Sequence, residues 1–359
     1  LIGPVPGMKN YWVAVGVMAG FCQGGGVGKC IAEWIIDGES SIDVWAMDVA
    51  RFGDYASPQY GTVKSSENYE RRFIMTFPNE TLPKGRKQKT TALYDRFVNQ
   101  GAVMGDSFGL ENVLWFANNK EDAHEEPTIK RSRSHDYVSK EVINVRENVG
   151  LIEVANFSKH EFKGPDARKF LDHIMAGRLP KPGRISLSPM LSYRGKLCGD
   201  LTVACLDENE FMVFGSGAAQ EMHRRWFESH LGKFNLNYKN RSDEYHGLSI
   251  AGPNSRKVLE KIVRDDVSNE KFKFRDSRRM FVGGVPAIIN RISFTGELGY
   301  EIYVAPHYQL KLYEELMEAG KEFDIKPFGG RALMSMRLEK NWGAWTLDYR
   351  PDFTAKETG

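Results

Sequence analysis

The sequence predicts an α+β fold with internal pseudo-symmetry, and three observations support this prediction. From residue 138 onward, short β-type runs alternate with segments whose apolar residues recur at i, i+3 and i+4, as in amphipathic helices. A turn-and-helix motif occurs twice in this part of the chain, and a glycine-rich segment near the start lies between a β-type run and a helical pattern. The predicted strands of the regular part are 149–154 and 211–214, and its predicted helices are 166–176 and 219–231.

The repeated motif is Gly164-Pro-Asp-Ala-Arg-Lys-Phe-Leu171, which returns 88 residues later as Gly252-Pro-Asn-Ser-Arg-Lys-Val-Leu259. Each copy is typical of a strand end, a Gly-Pro turn, an Asp or Asn suited to the N-cap, and a helix. Coincidence between two common turns is the alternative. The shared Arg-Lys pair and the common offset to Leu favour a duplicated unit, with a central cavity where two such units meet.

The glycine-rich segment is predicted as strand, turn and helix. Residues 11–15 form the β-type run, 24–29 the glycine turn, and 30–36 the helical pattern. This arrangement brings backbone N–H groups and a helix N-terminus to a phosphate or to the edge of a flavin. The segment is not a P-loop, because Gln23 and Cys30 stand where that motif needs Gly and Ser or Thr. A close-packed turn without a ligand is the alternative.

Composition limits the possible functions. With 359 residues, 41% of them hydrophobic, the chain holds two to three globular domains. The basic clusters at 84–89 and 130–133 lie in polar segments without interleaved aromatic residues, which argues against nucleic-acid binding. Apolar runs stay shorter than the roughly 20 residues of a membrane span. Four cysteines without a CxxC pair and eight histidines without HExxH spacing predict neither a disulfide framework nor a metal site.

Four segments resemble the glycine cleavage system T-protein and its relatives, in the same order. Residues 148–160 with Gly164-Pro-Asp-Ala167 resemble the opening of that family, and Gly195-Lys-Leu-Cys-Gly-Asp-Leu-Thr-Val203 resembles its catalytic stretch. Phe294-Thr-Gly-Glu-Leu-Gly-Tyr-Glu-Ile302 is similar to its pterin-binding segment, and Met336-Arg-Leu-Glu339 to a later helix. Together these matches are specific, whereas a single one would not be.

Two segments near the start of the chain make the family resemblance more specific. Residues 24–34 and 44–53 resemble the junction at which the FAD domain of dimethylglycine and sarcosine dehydrogenases passes into the transferase half. The chain is therefore identified as an internal piece of that family. The resemblance implies four segments. These are the end of a Rossmann-type FAD domain (1–50), a connecting module (51–117), a linker (118–136) and a T-protein-like folate-binding aminomethyltransferase domain truncated at its C-terminus (137–359).

The resemblance implies a two-stage reaction. FAD takes a hydride from the N-methyl group of dimethylglycine or sarcosine, and tetrahydrofolate captures the one-carbon unit as 5,10-methylenetetrahydrofolate. The dinucleotide fingerprint would precede Leu1, so the FAD site is expected to be incomplete here. Expected partners are the N-methyl amine, folate, and oxygen or an electron-transfer flavoprotein as electron acceptor, with neither nucleic acid nor membrane. The expected location is the cytoplasm in a bacterium or the mitochondrial matrix in a eukaryote, and not outside the cell.

Two alternative functions share this fold. One is a stand-alone folate-dependent aminomethyltransferase or demethylase, against which the FAD-type segment argues. The other is a folate-binding protein without catalysis, against which the acid at Asp200 argues.

The resemblance implies that Asp200 is the catalytic acid, since it occupies the acidic position of the family's catalytic stretch. Its context fits this role, because a carboxylate at the mouth of a buried strand can stabilise positive charge and move a proton. An ordinary strand-end acid is the alternative reading. Glu297 matches the position that would accept hydrogen bonds from the amino group and ring N–H of the pterin. Tyr193 and Tyr300 are candidate stacking residues, with core packing as the alternative.

The remaining candidates are less specific. Ser216 lies between two glycines after a predicted strand, where a ligand could approach the backbone or a plain turn could form. Arg337, in the later helix, is a candidate folate contact. The glycines expected to meet the flavin are Gly24, Gly25, Gly26 and Gly28.

The sequence also departs from the family pattern. Phe294 replaces a frequent Tyr and removes a hydroxyl near the pterin, and Gly199 replaces the first of two acids that often precede Leu. Leu333 stands where the T-protein has an arginine. The closing barrel of the family would follow Glu357, so part of the folate site is expected to be missing.

Overall fold

The computed structural model describes residues 1–18 and 20–358. Within these ranges no helix combines the length and the apolar character that crossing a bilayer requires. The α-helices are α1 (Phe21–Asp37), α2 (Pro58–Glu70), α3 (Tyr94–Asn99), α4 (Ser134–Glu147), α5 (Ala167–Ile174), α6 (Gln220–Leu231), α7 (Ser255–Ile262), α8 (Gln309–Gly320) and α9 (Gly330–Glu339). The β-strands are β1 (Ile2–Pro4), β2 (Trp12–Ala14), β3 (Ala102–Ser107), β4 (Leu110–Phe116), β5 (Val149–Glu153), β6 (Phe157–Lys163), β7 (Arg184–Leu191), β8 (Leu197–Asp207), β9 (Glu210–Ser216), β10 (Asn237–Asn240), β11 (His246–Ala251), β12 (Ser277–Val282), β13 (Val285–Asn290), β14 (Gly299–Val304) and β15 (Ile325–Pro327).

The chain divides into two compact units that interleave in sequence. Unit 1 comprises Leu1–Gly53, Phe157–Arg241 and Gly343–Gly359, and unit 2 comprises Asp54–Asn156 and Ser242–Trp342. Each unit has its own sheet and its own apolar core. The predicted strands at 149–154 and 211–214 correspond to β5 and β9. The predicted helices at 166–176 and 219–231 correspond to α5 and α6.

Unit 1 is built on an antiparallel sheet with the strand order β10-β6-β9-β8-β7. One face of this sheet packs against α5 and α6, because alternate residues along the strands are apolar. Leu201 and Val203 of β8 share a buried cluster with Phe170 of α5 and Phe227 of α6. The opposite face therefore carries the intervening residues of each strand.

Unit 2 is built on a sheet with the order β12-β13-β14-β11-β5-β15, in which only the β15–β5 pair is parallel among the described pairings. Its core contains Ile250 and Ile302 from the sheet, together with Leu259 of α7 and Leu316 of α8. Strand β14 is buried along its whole length. Strands β3 and β4 form a separate two-stranded sheet in the same unit.

The repeated Gly-Pro motif occupies the same local structure in each unit. Gly164 joins β6 to α5 and Gly252 joins β11 to α7, with φ angles of 140° and 132°. A Cβ atom at Gly164 would lie 3.0 Å from the carbonyl oxygen of Asn235, and one at Gly252 would lie 2.5 Å from that of Val145. Both turns therefore require glycine. The prediction of a strand, turn and helix in each copy is confirmed.

Two local expectations are corrected by the structure. Gly24, Gly25, Gly26 and Gly28 do not form a turn, because they lie within α1, which already begins at Phe21. The side chains of the N-cap residues Asp166 and Asn254 make no capping hydrogen bond. The Asp166 carboxylate instead accepts the backbone N–H of Asn235 at 2.9 Å, so it fastens the turn to a neighbouring segment.

A buried carboxylate connects three elements of unit 2. Glu141 of α4 accepts the backbone N–H of Phe116 in β4 at 2.7 Å and that of Gly329, the N-cap of α9, at 2.9 Å. Burial raises the pKa of Glu141 to about 7. Both backbone donors would be left without an acceptor if this side chain were shortened.

We predict that Glu141→Ala lowers the free energy of unfolding by about 2–4 kcal/mol, because each buried N–H left unsatisfied costs about 1–3 kcal/mol. Urea denaturation at pH 6 measures this change. The control is Glu147→Ala on the same helix, whose side chain is exposed. Equal stability of the two variants would show that the Glu141 contacts contribute nothing.

Candidate functional site

Asp200 lies in β8, on the sheet face of unit 1 opposite α5 and α6. The neighbouring Leu201 and Gly199 point to the helix-covered face, so alternation places the Asp200 carboxylate on the other one. Its cross-strand partner in β7 is Pro189. The described residues provide no hydrogen-bond donor for this carboxylate, and burial alone raises its pKa from 3.8 to about 6.

The strand register brings Ser216 to the same place. Thr202 of β8 pairs with Phe214 of β9, and continuing that register by one alternation would set Asp200 beside Ser216. Paired residues share a sheet face, so both side chains occur on one face at one end of the two strands. Ser216 in turn pairs with Phe157 of β6. Asp200 therefore belongs to a row whose other members are Pro189, Ser216 and Phe157, which offers a carboxylate little solvation.

A buried lysine on this face was missed by the sequence analysis. Lys159 of β6 pairs with Phe214 and has no exposed surface. It belongs to the row next to the one that contains Asp200. The sequence gives no signal for this burial, because β6 reads Phe-Ser-Lys-His-Glu-Phe-Lys and binary patterning assigns its polar run to the surface.

His223, on α6, contacts β8 on the sheet face opposite the Asp200 side chain. Its Nε2 donates to the carbonyl oxygen of Cys198 at 3.2 Å, and burial lowers its pKa to about 4, so the ring is neutral. A Cβ at position 199 would lie 3.0 Å from Nε2, and one at position 215 would lie 3.3 Å from Nδ1. The glycine at position 199, a departure from the family pattern, thus leaves room for the His223 ring.

Glu297 lies in unit 2, on the loop that leads into β14. The loop is fastened by the hydroxyls of Ser293 and Thr295, 2.6 Å apart, and by Lys340, whose Nζ donates to the carbonyl oxygen of Ser293 at 3.0 Å. The backbone N–H of Glu297 donates to Thr295 Oγ1 at 3.2 Å. Among the described residues nothing pairs with its half-buried carboxylate, which remains free to accept hydrogen bonds from a ligand.

The two candidate tyrosines have different surroundings. Tyr300 is fully buried in β14, where its ring stacks on Phe272 at 5.9 Å and its hydroxyl accepts from Arg256 Nε at 3.2 Å. It follows the core-packing alternative, and we leave it out of the proposed folate site. Tyr193 is 66% exposed, in the turn between β7 and β8 of unit 1, with its hydroxyl 3.1 Å from His230 Nε2.

Arg337 is buried in α9 of unit 2, and its Nη1 donates to the carbonyl oxygen of Trp342 at 2.9 Å. That contact fastens the end of the helix, so it assigns Arg337 a structural role. Gly24, Gly25, Gly26 and Gly28 of α1 are exposed, and a Cβ at any of them would meet no described atom within 4 Å. Packing inside the described chain therefore does not explain why these helical positions are glycine.

Two parts of the chain match known protein-family models. Residues 93–359 match the GCVT N-terminal domain, and residues 37–91 match the FAD dependent oxidoreductase central domain. The chain belongs to the GCVT family. The oxidoreductase match before it confirms the predicted combination of domains.

Curated relatives match the whole length of this GCVT-family chain. Human mitochondrial dimethylglycine dehydrogenase is 35% identical across 100% of the chain, and human mitochondrial sarcosine dehydrogenase is 27% identical across 100%. The chain spans 42% and 44% of the lengths of these two relatives. Among solved structures, aminomethyltransferase T of the glycine cleavage system from Bartonella henselae aligns with a TM-score of 0.62 at 23% identity. That alignment covers 74% of this chain and 66% of the other. This likeness confirms the predicted T-protein-like fold.

We predict that Asp200→Asn stabilises the GCVT-family chain at neutral pH. The folded-state pKa of Asp200 is raised, so the folded protein binds this proton more tightly than the unfolded one, and stability falls as pH rises from about 4 to about 6. The difference between 3.8 and about 6 corresponds to about 3 kcal/mol at most. The neutral amide avoids this loss.

The measurement is urea denaturation at pH 4, 5, 6 and 7.5. The advantage of Asp200→Asn should grow across this range, whereas the exposed Glu208→Gln in the β8–β9 turn should show none. A variant no more stable than the wild type at pH 7.5 would mean that the Asp200 carboxylate is well solvated.

Proposed function

We propose that this chain transfers the one-carbon unit from the iminium product of N-methylglycine oxidation to tetrahydrofolate. It would do so within a FAD- and folate-dependent oxidative demethylase of dimethylglycine or sarcosine. The observation that carries the proposal is the poorly solvated Asp200 carboxylate, at the position that resembles the catalytic acid of the T-protein family. The dehydrogenase relatives, which match the whole chain, support the oxidative half.

The residues fit the two groups that this reaction needs. When bound, tetrahydrofolate supplies a nucleophilic nitrogen and FAD supplies a hydride acceptor. Glu297 is a half-buried acceptor on a fastened loop, suited to the guanidine-like edge of a pterin. The exposed glycines of α1 leave open space where a flavin edge can approach the helix, and they would form only part of the FAD site.

Asp200 has the properties required for charge stabilisation and proton transfer. With a pKa of about 6 it exchanges a proton near neutral pH, and its poorly solvated carboxylate interacts strongly with a cationic carbon. Ser216 lies on the same sheet face at the same end of β9, where its hydroxyl would meet a ligand bound beside the acid. His223 holds the backbone of the strand through Cys198 and thereby positions the acid.

The proposal includes the organisation and location of the protein. We propose the divisions at residues 50, 117 and 136, with the FAD-type segment before the first and the transferase after the last. The mitochondrial dehydrogenase relatives support a mitochondrial matrix location in a eukaryote, and the cytoplasm is the counterpart in a bacterium. Oxygen or an electron-transfer flavoprotein would accept the electrons.

We predict that Asp200→Asn separates oxidation from transfer in the full-length enzyme. An iminium that is not captured by tetrahydrofolate is hydrolysed by water to the demethylated amine and formaldehyde. Amine oxidation should keep its wild-type rate, while methylenetetrahydrofolate formation falls about 10²-fold or more and formaldehyde rises to match. Stopped assays that measure both carbon products give the ratio.

Glu208→Gln, at an exposed turn acid of unit 1, is the matched control and should leave the ratio unchanged. Unaltered partitioning in Asp200→Asn would remove Asp200 from its assigned role. Tetrahydrofolate affinity, measured in parallel, should be the same in both variants.

We predict that Glu297→Gln weakens tetrahydrofolate binding to the chain about tenfold, because a charge-assisted acceptor becomes a neutral amide. Isothermal titration calorimetry measures the affinity. Glu270→Gln, at an exposed acid of unit 2, is the control. If Glu297→Gln binds as tightly as the wild type, the pterin does not contact this carboxylate.

A further inference from the structure

Strand β8 contains a β-bulge just before Asp200. Neighbouring residues of β7 pair with Leu197 and Gly199, so Cys198 between them is an extra residue on the β8 side. A bulge interrupts the ladder, bends its strand and changes the direction in which nearby side chains point. The direction of the Asp200 side chain therefore depends on how these three residues, which we name the β8 bulge, are held.

Strand β9 does not reach the β8 bulge. The pairing of β8 with β9 begins at Thr202 and continues to Asp207, so among the described pairings residues 197–201 have a ladder with β7 only. Buried backbone N–H and C=O groups are almost always hydrogen-bonded, and those of the bulge that do not face β7 need other partners. Several of these partners come from the C-terminal segment of unit 1, residues 343–359.

Side chains and the C-terminal segment replace the missing strand. The backbone N–H of Leu197 donates to the carbonyl oxygen of Phe353 at 2.8 Å. The indole N–H of Trp345 donates to the carbonyl oxygen of Leu197 at 3.0 Å, and His223 donates to the next carbonyl, that of Cys198, at 3.2 Å. Two consecutive carbonyl groups of the bulge are thus held by side chains.

Packing fixes Trp345 in this position. Its side chain is 6% exposed, and its ring centroid lies 5.3 Å from that of His223 and 5.4 Å from that of Trp45. Leu197 belongs to the same buried cluster. Since Trp345 and His223 contact each other and each donates to one carbonyl of the bulge, they hold β8 as a pair.

The turn that carries Trp345 is closed by its own hydrogen bonds. The backbone N–H of Ala344 donates to the Asp348 carboxylate at 2.8 Å, and the Ala344 carbonyl oxygen accepts the backbone N–H of Asp348 at 2.9 Å. A Cβ at Gly343 would lie 2.2 Å from the Tyr349 ring, so the turn requires glycine there. The indole donor is therefore presented to β8 from a defined place.

We propose that Trp345 is a positioning residue for the Asp200 carboxylate, acting through the Leu197 carbonyl and the β8 bulge. Loss of the indole N–H leaves a buried carbonyl without its donor, and the bulge then shifts toward other donors or water. A shift of about 1 Å in a group that takes part in the chemistry can cost about 10²-fold in rate. The catalytic consequence rests on the proposed transferase function, whereas the coupling of Trp345 to Asp200 is a property of the fold.

A double-mutant cycle of Trp345→Phe with Asp200→Asn measures this coupling without folate. Phenylalanine keeps an aromatic ring in the cluster and removes the indole N–H. The stabilisation that Asp200→Asn gains between pH 5 and pH 7.5 should be about half as large in the Trp345→Phe background, because a displaced carboxylate is better solvated. Urea denaturation at both pH values gives the stability of each member of the cycle.

Tyr349→Phe is the matched control, because it lies in the same segment and removes a hydroxyl that has no hydrogen-bond partner among the described residues. Its effect and that of Asp200→Asn should add. Additive effects of Trp345→Phe and Asp200→Asn would overturn the proposal. If Trp345→Phe does not fold, 3-benzothienylalanine at position 345 provides the cycle, since it replaces the N–H by sulfur in a ring of nearly the same shape.

The catalytic consequence is measured in the full-length enzyme. Trp345→Phe should lower kcat for methylenetetrahydrofolate formation about tenfold with an unchanged KM for tetrahydrofolate, while formaldehyde rises to match. The acidic limb of its pH profile should move below the wild-type midpoint near 6, because water reaches the acid. A mere loss of folded enzyme would lower both carbon products together and leave the pH profile in place.

The two assays separate this inference from the proposed function. Coupling in the cycle, with unaltered partitioning in both Trp345→Phe and Asp200→Asn, removes the transferase role of Asp200 and supports the positioning role of Trp345. Additivity in the cycle, with altered partitioning in Asp200→Asn, removes the positioning role alone.

Discussion

The partial burial of one carboxylate, without a hydrogen-bond donor among the described residues, is the constraint to which the rest of the candidate site is adapted. Asp200 lies on a central strand of unit 1 in a row with Pro189 and Phe157, and the described residues give it no donor. An isolated acid in such a position destabilises the folded state when it is ionised. The same lack of solvation brings its pKa near neutrality and strengthens its interaction with a developing positive charge.

The apolar core of unit 1 offsets the loss of stability that the ionised Asp200 carboxylate causes. Leu201 and Val203, on the opposite face of the same strand, are fully buried against two helices. His223 attaches the backbone of that strand to α6, and two glycines leave space for its ring. The helix-covered face thus holds the strand in place, and the other face presents the acid.

The Gly-Pro turn has the same local structure in both units. Gly164 and Gly252 take positive φ angles above 130°, and a side chain at either would collide with neighbouring backbone. Because this requirement is steric, glycine occurs at both turn positions in the sequence. The helical glycines of α1 are different, because nothing in the described chain approaches them. Each costs an exposed helix about 1 kcal/mol relative to alanine, so a ligand or another part of the protein is needed to explain why these positions are glycine.

Local periodicity and short motifs determined much of this protein from sequence alone. They predicted β5, β9, α5 and α6, the two Gly-Pro turns, the family, and Asp200 and Glu297 as candidates, since turns, alternation and helical spacing depend on neighbours along the chain. The inclusion of Gly24–Gly28 in a helix, the burial of Tyr300 and the structural contact of Arg337 were decided by tertiary structure. So were the burial of Lys159 and the packing of His223 against two glycines. The physical reason is that solvation and ring packing depend on residues far apart in sequence, which no local pattern records.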